Sequence, residues 1–110
     1  PVSAVAERRV GERPQHDLDD DALWGEWLDR ACAALGIDRA LADVALVHTV
    51  SREIAHGFVR PMAPVGPFLI GVALGQRVAQ ARASGETVGE AEAAALRAEL
   101  AAALRTTYPA

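Results

Sequence analysis

The chain has 110 residues, about half of them apolar, with few aromatics and a formal net charge of −4. That length holds one domain and buries enough surface to fold without a metal or a disulfide. The acid excess argues against the basic surface of a nucleic-acid protein, and the single cysteine, Cys32, excludes an internal disulfide.

Residues 1–18 lack helical periodicity and mix Arg8, Arg9 and Arg13 with Glu7, Glu12, Gly11 and Pro14. They read as a flexible tail. The alternative is an arm that orders on a partner and buries Val2, Val5 and Val10 there.

The first helix is expected to open at Asp19-Asp20-Asp21, whose carboxylates suit the free N–H groups and positive dipole of a first turn. Trp24, Trp27, Leu28, Ala31 and Leu35 fall on one helical face, and Gly36 supplies the left-handed stop. The two tryptophans read as core, with Trp24 the more exposed, and Cys32 as a packed, inert thiol. Asp38 is placed to cap a short turn through Leu41, and Asp43 to cap a second helix. Val47, Val50, Ser51, Ile54 and Phe58 form the inward stripe of that helix, which Pro61 stops near Arg60.

Pro61, Pro64 and Pro67 repeat every three residues, the period of polyproline II, and predict a stiff joint. The third helix follows Val65 or Gly66 and runs to about Ala83. Phe68, Leu69, Ile70, Val72, Ala73 and Leu74 leave it almost no polar face, which predicts the most buried helix. Gly71 and Gly75 are expected to form a groove for a close helix contact, because each costs about 1 kcal/mol relative to alanine. Thr87-Val88-Gly89-Glu90 has the form of a capping box. The fourth helix then runs to about Arg105, with Val88, Leu96, Leu100, Ala103 and Leu104 inward.

With no strand-like alternation and no repeats, the pattern predicts an all-α fold. It is a small four-helix, bundle-like domain over 19–108 behind a flexible N-terminal arm. No signal-peptide core is present, and the apolar run Val65–Leu74 is too short to span a bilayer, so a cytoplasmic protein without a membrane contact is expected.

The second helix carries the candidate site. His48, Arg52, His56 and Arg60 follow at spacings of four and predict one polar ridge beside Glu53. Glu53-Ile54-Ala55-His56 has the E-x-x-H spacing of di-iron bundles, but no second copy exists. His48 and His56 lie about 12 Å apart along the axis, too far to share a zinc ion. A histidine beside a glutamate suits general-base work, yet no nucleophile motif or phosphate loop accompanies it. No catalytic residue, cofactor or metal is therefore assigned. Recognition of an anion or a partner by Arg52, His56 and Arg60 fits the planar donor fork of arginine. The competing reading is a solvated helix face.

Several segments carry a resemblance. Trp27-Leu28, Ala34-Leu35-Gly36, Arg52-Glu53-Ile54-Ala55-His56-Gly57, Arg60-Pro61, Ala63-Pro64, Phe68-Leu69-Ile70-Gly71 and Ala73-Leu74-Gly75 resemble an actinobacterial helical domain family of unknown function. That family occurs alone or fused to guanylyltransferases that attach GMP to molybdopterin. The likeness covers about residues 24–78. Val65-Gly66-Pro67 departs from it, standing where a small polar residue is expected after Ala63-Pro64.

The resemblance implies a non-catalytic accessory domain in the maturation of molybdopterin guanine dinucleotide, the cofactor of enzymes such as formate dehydrogenase. The implied partner is the guanylyltransferase or a molybdoenzyme subunit. It would meet a surface built from His48, Arg52, Glu53, His56, Arg60, Pro61 and Pro64. Two alternatives stay open: a helical protein that binds a small anion, a nucleotide or a metal, and a small subunit of a larger oxidoreductase. A homo-oligomer through the Gly71/Gly75 helix is a further expectation.

Overall fold

A computed structural model describes residues 21–109. The expected arm, 1–18, and the helix start at Asp19-Asp20 lie outside the described residues. The described residues are all-α, without a strand. They form α1 (Asp21–Leu35), α2 (Val44–Gly57), α3 (Val65–Ala83) and α4 (Glu90–Arg105), with single 3-10 turns at Arg39–Leu41 and Arg60–Met62. They divide into two compact units, one through Arg39 and one from Ala40.

In the first unit α1 ends as its sequence dictates. Gly36 takes φ 70°, and the Ile37 N–H donates to the Cys32 carbonyl over 2.8 Å. The apolar stripe is more exposed than its spacing implies. Trp27 is 60% and Leu35 72% exposed, so Trp27, not Trp24, is the more exposed tryptophan. The less exposed face centres on Leu28, Ala31 and the buried, free Cys32. Arg39 pairs with Asp29 over 3.3 Å.

The second unit packs α2, α3 and α4 around Val50, Ile54, Ile70 and Ala101, with Leu46, Leu100, Leu104 and Tyr108 against them. Asp43 caps α2 as expected, its Oδ1 accepting from the Leu46 N–H at 3.0 Å. Arg97 of α4 holds the entry to α2 by donating to the carbonyls of Ala40 and Leu41 and pairing with Asp43. The inward residues of α2 are Val50 and Ile54, with Leu46 beside them, whereas Val47 and Phe58 are exposed.

Three expectations about the joint change. First, α2 stops at Gly57, not near Arg60. Phe58 leaves the helical region (φ −133°, ψ −98°) while its N–H still closes onto the Ile54 carbonyl. Second, the prolines do not make a polyproline II linker. The proline ring sets φ near −65°, which suits both that helix and a 3-10 turn, so ψ decides. Here i→i+3 bonds from Met62 N–H to Val59 and from Ala63 N–H to Arg60 draw the chain into a turn, and Pro64 sits at φ −78°, ψ −20°. Third, α3 already begins at Val65, so Gly66 lies inside it, with Pro67 in the first turn, where no N–H is needed.

Among the described helices α3 carries the most buried residues, but on one stripe only: Gly66, Ile70, Leu74 and Val78, four apart, are buried, while Phe68, Leu69 and Val72 on the opposite side are exposed. Gly71 and Gly75 have nothing within 4 Å of where a Cβ would stand, so the expected groove contact does not exist within the described residues. The glycine that permits a close approach is Gly66. A Cβ there would collide with Ile54 Cδ1 and come within 3.3 Å of Leu104 and 3.5 Å of Val50. The capping box of α4 is shifted as well: Gly89 precedes the helix, and Glu92, not Glu90, accepts from the Gly89 N–H over 3.0 Å. Ala93 and Ala101 are buried on α4, and Ala103 is exposed.

Segment Arg60–Ala83 is 24 residues long and contains an 18-residue stretch of mean hydropathy 1.2, enough by length and composition alone to cross a membrane. The expectation from Val65–Leu74 alone understates it, because the helix continues past that apolar run. One face of α3 is nevertheless committed to packing within the unit through Ile70.

The glycines respond oppositely to alanine. Gly66→Ala is expected to destabilise by about 1–3 kcal/mol through overpacking against Ile54. Gly75→Ala, facing open space in a helix, is expected to stabilise by up to about 1 kcal/mol. Urea titration of both variants, followed by circular dichroism, checks the contrast.

Candidate functional site

The predicted site residues lie on α2 and on the joint that follows it. His48, Arg52 and His56 share one face of α2, but the helix ends before the fourth member of the ridge. Arg60 sits in the 3-10 turn, so the ridge is three residues long and Arg60 belongs to the joint. His48 and Arg52 are half-buried, and His56 and Arg60 are exposed. The Arg52 Nη2 makes a long contact of 3.5 Å to Thr49 Oγ1, while its Nη1 is buried without a hydrogen-bond partner among the described residues.

Glu53 is already engaged. Its Oε1 accepts from Arg105 Nε at 2.8 Å, tying α2 to the end of α4. That hydrogen bond raises the proton affinity of Arg105 above its ordinary value, with burial opposing. Beside the pair, burial and the Glu53 carboxylate both push the Tyr108 phenol up, and Arg105 acts against them. The Tyr108 hydroxyl is buried without a hydrogen-bond partner among the described residues. Glu53 thus serves the packing of α2 on α4. Among the described residues, no three His, Cys, Asp or Glu side chains stand close enough to hold a metal ion.

The joint is pinned from within. Ser51 Oγ donates to the Ala63 carbonyl over 3.1 Å, so a hydroxyl on α2 holds the chain where it turns into α3. Pro61 is in the first turn of the 3-10 helix, and Pro64 immediately precedes α3. Both are exposed, as are Phe58, Val59 and Met62 around them. The apolar exposure continues onto α3 through Val65, Phe68, Leu69 and Val72, with Phe68 at 67%.

Sequence reasoning missed this surface because a helix without polar residues reads as core. The signal lay in charge. Between Glu53 and Glu86 the chain has no carboxylate, and its only charged residues there are Arg60, Arg77 and Arg82. Arg77 is answered by Glu99 at 3.2 Å.

Residues 19–107 match the family model described as Domain of unknown function (DUF6457). The chain belongs to this family. The DUF6457 match extends beyond the motif-bearing middle, 24–78, to take in all of α4. No curated protein and no solved structure matches the chain.

The contacts of Ser51 and Glu53 differ in expected weight. Ser51→Ala is expected to destabilise by about 1 kcal/mol, because it leaves the half-buried Ala63 carbonyl without its donor. Glu53→Ala removes an ion pair whose side chains are both more than a third exposed, for which under about 1 kcal/mol is expected. Thermal unfolding of the two variants gives the order.

Proposed function

We propose that this DUF6457 chain is a non-catalytic interaction domain that docks on a protein of molybdenum-cofactor maturation. The partner is the guanylyltransferase that makes molybdopterin guanine dinucleotide, or a subunit of a molybdoenzyme such as formate dehydrogenase. The observation that carries the interaction reading is the apolar surface left open at the joint and on α3. Scattered apolar residues are ordinary on a surface, but a run of large ones beside free polar groups marks contact with another molecule. The setting rests on the resemblance of Ala55-His56, Arg60-Pro61 and Ala63-Pro64 to the domain fused with such transferases.

In this reading His56 and Arg60 supply exposed polar contacts next to the apolar joint, and Arg52 supports them from the helix. Pro61 and Pro64 keep the joint in shape at little entropic cost on binding. A second reading draws on one atom. The buried Nη1 of Arg52 has a spare donor, which suits a small anion.

The test is recovery of purified guanylyltransferase, or of the molybdoenzyme subunit, on the immobilised chain. Recovery is expected to fall for Arg52→Ala, His56→Ala and Arg60→Ala, with melting curves confirming that each variant folds. Unchanged recovery for all three counts against the docking reading. Native mass spectrometry that finds a stoichiometric small anion, lost in Arg52→Ala, favours the second.

A further inference from the structure

We infer that the turn closing α4, residues 105–108, is a latch that opens as one piece while the rest of the second unit stays folded. The inference concerns a conformational device within this unit, goes beyond both readings above and depends on neither.

Three observations converge on the latch. The first is a polar group held where it costs energy. The ring of Tyr108 packs against the cluster of Val50, Ile54, Ile70 and Ala101. Its hydroxyl is buried without a hydrogen-bond partner among the described residues, and the Glu53 carboxylate beside it accepts from Arg105 instead. A stranded hydroxyl forfeits the bonds it makes in water. Phenylalanine would fill the same place without that loss, so the ring is held less tightly than its packing implies. Water meets the hydroxyl once the ring swings out, so the penalty falls on the closed state alone.

The second is the uneven attachment of α4 to α2. Arg97 grips the entry to α2 through two carbonyls and Asp43, and its side chain is only 12% exposed. Toward the end of α4 the polar tie is the Arg105–Glu53 pair, whose side chains are 40% and 36% exposed. A pair this exposed contributes little and weakens with salt. The seam is therefore firm at Arg97 and loose at Arg105.

The third is the build of the turn itself. The Thr106 N–H and hydroxyl both donate to the Ala103 carbonyl, and those of Thr107 both donate to the Leu104 carbonyl, with each hydroxyl contact at 2.6 Å. Freeing either threonine breaks two bonds at once, which disfavours release one residue at a time. Opening removes the Tyr108 ring from Val50 and Ile54, which are 0% and 3% exposed in the closed state. It also releases Glu53, three residues before His56 on α2.

The test is amide hydrogen exchange of the full chain, followed residue by residue by NMR. The amides of Thr106, Thr107 and Tyr108 are expected to share one opening constant, larger than that of Val50 and Ile54 in the core. Tyr108→Phe is expected to lower the shared constant roughly tenfold, because the closed state no longer carries the stranded hydroxyl. Glu53→Gln, which discharges the loose tie, is expected to raise it about threefold.

Rates that climb residue by residue toward Tyr108 overturn the inference in favour of ordinary fraying. Exchange of the three amides only together with Val50 and Ile54, in one global event, overturns it as well. So does an opening constant that Tyr108→Phe fails to lower or that Glu53→Gln fails to raise. None of these outcomes involves Arg52, His56 or Arg60, so the docking and anion readings stand or fall separately.

Discussion

The second unit depends on the approach of α2 to α3 at Gly66. One missing Cβ lets Ile54 and Val50 of α2 lie against the α3 backbone, with Leu104 of α4 closing over the same spot. Alanine-rich helices bury little area per residue, so closeness must compensate for size. Dispersion contacts fall off steeply with separation, and a gap of even half an ångström loses much of their energy. Val50, Ile54, Ile70 and Ala101 form one cluster, and the side chains of Val50, Ile54 and Leu104 lie against the Gly66 backbone beside it.

The joint follows from the same constraint. To bring α3 onto α2 so soon after Gly57, the chain must reverse within a few residues. A 3-10 turn does this in the least space, with Pro64 continuing its helical conformation into α3. The Ser51 hydroxyl then holds the Ala63 carbonyl, so the turn is fastened to the helix it leaves. Three prolines in this setting stiffen a tight corner and do not extend a linker.

The corner also decides what is left outside. With its Gly66 stripe turned inward, α3 presents Phe68, Leu69 and Val72 outward, where they are exposed. The absence of carboxylates over the same stretch makes that exterior apolar and cationic within an acidic chain. Glu53, the carboxylate nearest the joint on α2, is held by Arg105. The polar ridge lies on α2, and the apolar exposure runs from the joint onto α3.

Much of the helical layout was legible in residue order alone, because local rules govern helix ends. Gly36 stops α1 by adopting positive φ, Asp43 caps α2 through its own carboxylate, and Arg105 closes α4 where the apolar spacing lapses. The site residues of α2 were legible as a pattern, since spacings of four mean one face in any helix. Periodicity cannot say where a helix stops short of a proline, so Arg60 was drawn into a ridge that Gly57 and Phe58 interrupt. Only the tertiary structure decided which of three glycines in α3 meets side chains of the other helices and which apolar face stays bare. A spacing of four marks a face of a helix, but burial depends on how many neighbours arrive, and that number is a property of the assembled chain.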